Sequence, residues 1–444
     1  MSLEDIRLTL DHCVKCNICT TACPVAIVAP DKFPGPKYVG PQAQRYRDPS
    51  APTVDWSVDY CSGCGVCDMV CPHGVKIMEM NAKARAHLYQ TERIPLRNRV
   101  LSRSELLGKI ARPVAPIANL AFSLAPARWA AEIFFGIDHR APFPAFSSTT
   151  FRDWYQKVHG AVRPGRPFTF DQAPRPEPLP PGARGQVLYF HGCSTQYYEP
   201  RVGQAAVAVL ERNGFEVIVP KQNCCGLPIM SQGDFDGARR YGRSNLRKLA
   251  PWVRQGYLIV GTSTSCTLTL KHDYQAILDL DDEDARLVAA HTYDLCEFLL
   301  LLWQRGELDT GFTPIRATVP YHAPCQLKAH GIGRPAFDLM SLIPGLTVVE
   351  MDADCCGIAG TYGYKHEKYD IAMAVGRRLF EQITAVDSPV AVCDSETCRW
   401  QITHGTKRPA IHPVEVLAQA YGVPVPIPVP SVAAAAADGE TAHA

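Results

Sequence analysis

Sixteen of the 18 cysteines in this 444-residue chain fall into four groups whose spacing suits metal–thiolate chemistry. Two groups are compact. "CVKCNICTTACP" carries Cys13, Cys16, Cys19 and Cys23, and "CSGCGVCDMVCP" carries Cys61, Cys64, Cys67 and Cys71, each run closed by a proline. Both read C-x₂-C-x₂-C-x₃-C-P, the run that encloses a [4Fe–4S] cube. Three thiolates on a tight loop cap three irons of one cube. The fourth cysteine starts a short helix, points away and completes the other. The expected sets are therefore Cys13, Cys16, Cys19 and Cys71 on one cubane cluster, and Cys61, Cys64, Cys67 and Cys23 on the second. Structural zinc sites instead use separated C-x₂₋₄-C pairs that build one tetrahedron, a pattern these complete runs do not follow.

The other two groups are dispersed and resemble each other. One comprises Cys193, the vicinal pair Cys224 and Cys225 in "QNCCGLP", and Cys266. The other comprises Cys325, the pair Cys355 and Cys356 in "DADCCGIAG", and Cys398. Adjacent Cα atoms lie about 3.8 Å apart, below the usual disulfide range, so each pair is read as bridging neighbouring irons. Gly226 and Gly357 follow the pairs, where a missing side chain lets the backbone approach a bulky inorganic core. There are 30 residues between Cys193 and Cys224 and 29 between Cys325 and Cys355; 39 separate Gly226 from Cys266 and 40 separate Gly357 from Cys398. Internal duplication explains this agreement, and each repeat offers four thiolates to one further [4Fe–4S]-type cluster.

Strand–helix alternation must position those thiolates. "QVLYFHGC", "FEVIVPK" and "YLIVGTSTSC" read as strands around the helix "PRVGQAAVAVLERNG", and "ATVPYHAPC", "LTVVEMDADCCG" and "PVAVCDSETC" repeat the order. Alternation of this kind implies a parallel layer, whose strand carboxyl ends gather cofactors, and Cys193, Cys266, Cys325 and Cys398 are expected to end strands. The fold class is multi-domain α+β: an N-terminal dicluster ferredoxin-like module at 1–100, with sparse regular structure to residue 85 and a Pro/Gly-rich connector free to dock a partner; an amphipathic connector and Pro-rich linker at 101–185; two duplicated α/β units at 186–310 and 311–422; and a disordered tail at 423–444. Aligning Val260 with Val392 sets Cys398 opposite Cys266 and Cys393 opposite Gly261, so Cys398 is the expected ligand and Cys393 a spare. Cys296, in "YDLCEFLLLLW", reads as core. His191 and His322, shortly before the first cysteine of each repeat, are expected to pack or to support a ligand. No G-x-G-x-x-G follows a strand, so neither NAD nor FAD is expected.

With 45 basic and 44 acidic residues, the chain does not read as a nucleic-acid binder. It opens without the basic and apolar regions of a signal peptide, which points to a reducing cytosolic setting. The longest uncharged apolar stretch, residues 113–127, is too short and too proline-broken to span a bilayer. Residues 104–136 are nevertheless lipid-compatible. Leu106, Leu107 and Ile110 form one apolar group and Trp129, Ile133 and Phe134 another, cut into short pieces by Pro113, Pro116 and Pro126. The segment either lies in a membrane interface or packs within the protein or against a partner.

The doubled C…CCG…C order resembles the CCG domains of heterodisulfide reductases. The stretches "PGPKYVGP", "DHRAPFPAF", "FRDWY", "FHGC", "CCGIAGTYG" and "CRWQI", with both N-terminal runs, resemble the C subunits of anaerobic glycerol-3-phosphate dehydrogenases over about residues 10–420. That resemblance implies a non-catalytic iron–sulfur electron-transfer subunit of anaerobic respiration. Such a subunit works with flavoprotein dehydrogenase subunits, passes electrons from glycerol-3-phosphate oxidation towards quinone, and anchors peripherally on the inner face of the cell membrane. Related CCG domains hold non-cubane clusters. Their fuller pattern ends in C-x₂-C, whereas Ser263 and Ser395 replace its first cysteine here, leaving the cluster type open. Two other readings are a catalytic disulfide reductase and an electron carrier for a lactate or glycolate oxidase.

Overall fold

The computed structural model describes residues 9, 11–43, 56–92, 95–170 and 182–423. The tail expected to be disordered lies, but for Val423, outside them, as does the middle of the Pro-rich linker.

Two four-stranded parallel sheets form the body of the molecule. The first comprises β1 (Gly185–Phe190), β2 (Phe215–Ile218), β3 (Ile259–Gly261) and β4 (Thr292–Asp294), in the order β2-β1-β3-β4. The second comprises β5 (Ala317–His322), β6 (Leu346–Glu350), β7 (Ala391–Cys393) and β8 (Ala410–Ile411), in the order β6-β5-β7-β8. The orders superimpose element for element, as duplication requires. β1 is buried along its whole length, consistent with a parallel sheet covered on both faces. The helix Pro200–Arg212 buries Val202, Ala205, Ala206, Val209 and Leu210, the face that the 3.6-residue period specifies.

The two units share one core. Val187 and Phe298 of the first pack in the same apolar cluster as Leu339 and Ile411 of the second. Buried polar contacts join the loops at one end of both sheets. Arg399 pairs with Glu199, Ser263 Oγ donates to Glu396 at 3.2 Å, and His412 Nε2 meets the Thr262 carbonyl at 2.8 Å.

Several expectations need correction. The strands are shorter than read, and none of the four cysteines ends one. Cys193, Cys266, Cys325 and Cys398 each sit in the opening turn of a helix that follows a strand: Gly192–Tyr197, Thr264–Leu268, Cys325–His330 and Glu396–Thr406. A helix cap explains one of these breaks. Ser263 Oγ accepts the Cys266 N–H at 3.3 Å, turning the chain from strand to helix. The fourth strand of each sheet, only three and two residues long, has too little period-2 pattern to detect.

The N-terminal module also departs from expectation. Its short helices Ile18–Thr21, Pro24–Val28 and Val66–Met69 give way to a 15-residue helix, Ile77–Thr91, that begins inside the region expected to be irregular. Part of the connector is folded in, with Phe33 and Val39 buried and Gly40 seated against Ile77 and Asn81. The segment 104–136 divides at its prolines into Ser104–Ala111, a 3₁₀ turn at Arg112–Val114, Ala115–Ser123 and Ala125–Phe135. Each proline lies within the first two positions of its piece, where the missing N–H costs no helical bond.

Candidate functional site

The two compact runs adopt one backbone. Lys15 and Asn17 in the first have φ of 60° and 71°; Gly63 and Gly65, at the matching positions of the second, have 68° and 77°. Asn17 and Gly65 each precede a short helix in the left-handed conformation, which brings the three leading cysteines of a run onto a tight loop. Cys19 packs with Cys13 and Cys71, and Cys13, Cys16, Cys19 and Cys71 line one small cavity. Cys23, at the N-cap of Pro24–Val28, packs instead with Tyr60 and Cys61. The fourth cysteine of each run thus lies beside the other run's loop.

The second set is the deeper. Cys16 is exposed, whereas Cys64 and Cys67 are buried. Burial drives the thiols of Cys64 and Cys67 far above their ordinary range and Cys23 up to about 11. Arg85 fixes the loop that carries Cys61 by donating to the carbonyls of Cys61, of Val58 at 2.9 Å and of Ser231 at 2.9 Å.

In the repeats, all eight cysteines line a single cavity of about 400 Å³, and Cys64 also contributes to its wall. Cys356 Sγ is 3.1 Å from Cys398 Sγ. In each repeat the first thiol of the vicinal pair is held well below its usual range, Cys224 by Cys193 and Cys225, and Cys355 by Cys325 and Cys356. The N–H of Gly357 adds a hydrogen bond to Cys355 Sγ at 3.3 Å. Gly357 has a φ of +90°, and a Cβ there would stand 1.9 Å from the Ala372 carbonyl. The helix behind it, His366–Ala385, therefore requires a glycine at this position. Gly226 is likewise left-handed, with a φ of +96°.

The cavity's neighbours are unequal. Cys64 interacts electrostatically with Cys355 and Cys325 of the second repeat, and a Cβ on Gly65 would lie 3.7 Å from the Ala329 Cβ. The buried ferredoxin-like set therefore adjoins the second repeat's thiols. On the far side the wall changes character. Leu107, Ile110, Ala118, Phe122 and Phe143 of the connector line it, and Ile110 is 65% exposed, so the lining reaches the molecular surface. That surface carries the exposed side chains of Val114, Ile117, Leu120, Leu124, Trp129, Ile133 and Phe134.

The connector is also anchored inward. Glu105 accepts the Cys224 N–H at 2.9 Å, and Tyr198 OH donates to the Ser104 carbonyl at 3.0 Å. His366 N donates to the Gly136 carbonyl at 3.0 Å. One face of segment 104–136 thus spans both repeats while the other is open. Nothing in the spacing of Glu105 or Arg85 marks them in the sequence. Cys296 is buried, as expected of a core residue. His191 and His322 are not equivalents: β1–β3 pairs Phe190 with Gly261, and β5–β7 pairs His322 with Cys393. Counting back two residues from Cys193 and three from Cys325 reveals the same offset in the sequence.

Eight thiols converge on the larger cavity and four on the smaller, the donor set that iron–sulfur clusters take, and the residues fit such groups. The class follows. The family described as "4Fe-4S dicluster domain" matches residues 9–75, and "Cysteine-rich domain" matches 187–271 and 319–403. The chain is an iron–sulfur electron-transfer protein with a dicluster module and two CCG repeats. It is 38% identical over 418 residues to the C subunit of the anaerobic glycerol-3-phosphate dehydrogenase of Escherichia coli K12, covering 93% of this chain and 98% of the relative. The chain belongs to that family of C subunits. More distant relatives include the B subunit of the CoM/CoB fumarate reductase of Methanothermobacter marburgensis, 32% identical over 53% of this chain and 45% of the relative. The lactate utilization protein A of Halalkalibacterium halodurans is 30% identical over 40% of this chain and 73% of its own length.

Proposed function

We propose that this chain receives electrons from flavoprotein subunits oxidising glycerol-3-phosphate and delivers them to a membrane quinone, while docked peripherally on the inner face of the cell membrane. Four ligand sets support the path: Cys13, Cys16, Cys19 and Cys71; Cys23, Cys61, Cys64 and Cys67; Cys325, Cys355, Cys356 and Cys398; and Cys193, Cys224, Cys225 and Cys266. When bound, their clusters supply one-electron carriers, cubane in the first two sets. The division at residues 100, 185, 310 and 422 follows these sets.

The chain's own residues favour a direction. The Cys13–Cys19 loop is the most open, and Val14, Ile18 and Ile27 stand exposed around it, a surface suited to a donor subunit. Arg85 ties the loop of the deeper set to Ser231 of the first repeat, and the Asp59–Lys368 pair holds it against the second. The observation that carries the acceptor is the cavity: cysteines at one end and the aliphatic and aromatic wall of the connector at the other, opening on an exposed apolar face. A lipid-soluble planar acceptor suits that lining. No described helix is long and apolar enough to cross a membrane, consistent with peripheral docking.

The test is reduction of a water-soluble quinone analogue by the dithionite-reduced full chain. Ala118→Trp, which adds bulk to the connector's side of the cavity, should slow oxidation by the analogue at least tenfold while iron content and oxidation by ferricyanide stay unchanged. Equal slowing with both oxidants, or with neither, would remove the cavity from the reaction. The methanogen relative, named for its two thiol coenzymes, keeps a disulfide acceptor as the second reading. Faster oxidation by a disulfide than by any quinone would favour it.

A further inference from the structure

The two repeats differ behind their last cysteine. By register, the first repeat presents Phe190 beside Gly261 and the second presents His322 beside Cys393. His322 and Cys393 are both 0% exposed, and neither lines the cavity. Neither ring nitrogen of His322 has a well-formed hydrogen bond in the structure. A buried polar pair of this kind costs stability unless something takes up its donors. What lies against both groups is the Cys398 thiol, which adjoins His322 and Cys393 from outside the cavity while Cys356 adjoins it from within. At the matching place Phe190 and Gly261 offer Cys266 no side-chain donor.

We propose that His322 and Cys393 are positioning residues that donate an N–H and an S–H to the Cys398 thiolate, and that they set the second CCG site at a higher reduction potential than the first. The inference rests on the reading that each repeat holds a cluster. Hydrogen bonds to a ligating sulfur withdraw charge and favour the reduced, more negative state. The imidazole already bears on the Cys398 sulfur, and a ligating thiolate is a stronger acceptor for its N–H than a thiol. The second repeat is also the one that adjoins Cys64. A raised potential there makes it the stronger electron sink at the junction with the dicluster module.

The test is a paramagnetic-resonance redox titration of the anaerobically reconstituted full chain. Two CCG signals titrating at separate potentials are expected. His322→Phe, which installs the first repeat's residue, should lower the potential of the second signal alone, Cys393→Gly should do the same to a smaller extent, and His322→Gln, which keeps an N–H donor, should restore most of the shift. A His322→Phe protein with full iron and an unshifted potential overturns the proposal. If that variant loses iron, the unmutated chain decides: with ¹⁵N-histidine labelling, a nitrogen coupling to the second signal supports the hydrogen bond and its absence refutes it. Cys355→Ala separates the two levels. Loss of iron there, with no effect of His322, sinks only the tuning, whereas full iron content in Cys355→Ala sinks the cluster-bearing reading beneath it.

Discussion

The carboxylate of Glu105, on the first helix of the amphipathic connector, accepts the backbone N–H of Cys224 at 2.9 Å. The acceptor side chain is buried, and its other oxygen holds Lys109 at the surface. One residue thereby links the open apolar face to the vicinal pair of the first repeat. Glu105→Ala would leave a buried N–H unsatisfied, at a cost of about 1–3 kcal/mol. The first repeat should then lose iron on mild chelation several times faster than the second, while Glu105→Gln, which keeps an acceptor, stays near the unmutated rate. Equal loss from both repeats would show that the contact is only a general stabiliser.

Exchange of the fourth cysteine between the N-terminal runs can be read spectroscopically. Cys23 packs with Cys61 and Cys71 with Cys13 and Cys19. Cys23→Ser should perturb the signal of the cluster held by Cys61, Cys64 and Cys67 and leave the other cube's unchanged; Cys71→Ser should do the reverse. A change confined to the run that carries the mutation would refute the exchange.

Docking of the dicluster module has a charge signature. Burial alone would raise the Asp59 carboxyl, but Lys368, Lys365 and Arg85 hold it far below the usual carboxylate range. Lys368 Nζ reaches both the Asp59 carboxylate and its carbonyl and is almost wholly buried. A carboxyl with a depressed folded pKa stabilises the fold above its unfolded value, about 3.9, and that contribution is lost as pH falls below it. Thermal stability should therefore fall with acid below about pH 4, and Asp59→Asn should flatten that limb while lowering stability at neutral pH. Lys368→Met, which removes the only one of these cations that the Asp59 carboxylate touches but leaves Lys365 and Arg85 near it, should lower stability at neutral pH by less than the roughly 3–5 kcal/mol of a fully stranded charge. An acid limb as steep in Asp59→Asn as in the unmutated chain would exclude this pair as its source.

Legibility in the sequence follows the strength of the constraint. The two compact runs are readable because a cube dictates short, fixed spacings, and their shared positive-φ residues obey the same demand. The duplication is readable because vicinal cysteines are rare enough to fix the repeat boundaries. Strand ends are not. Ser263 caps a helix, and a single serine after an apolar run does not distinguish a cap from a continuing strand. The motif assigns Gly357 to the cofactor, and the helix behind it also demands the missing side chain, a tertiary contact that no local pattern encodes. Glu105 is invisible for the same reason: its partner lies 119 residues away.

The open face of the connector yields the last prediction. Its inward side is fixed to both repeats through Glu105, Ser104 and Gly136, so its exposed side chains are not a loose segment awaiting an internal partner. Ile117 is 70% exposed, Ile133 74% and Phe134 78%, with the exposed Trp129 stacked on His139 at 3.8 Å between ring centroids. Burying such side chains in an interface is worth about 25 cal/mol per Å² of apolar area, and Lys109 nearby would add attraction to anionic lipid. The full chain should pellet with anionic liposomes. Replacing Ile117, Ile133 and Phe134 together with serine should reduce the bound fraction at least tenfold, with iron content and thermal stability unchanged because none of the three is buried. If the unmutated chain stays in the supernatant at low salt, the face is a subunit contact, and co-purification with a dehydrogenase partner should then be abolished by the same triple substitution.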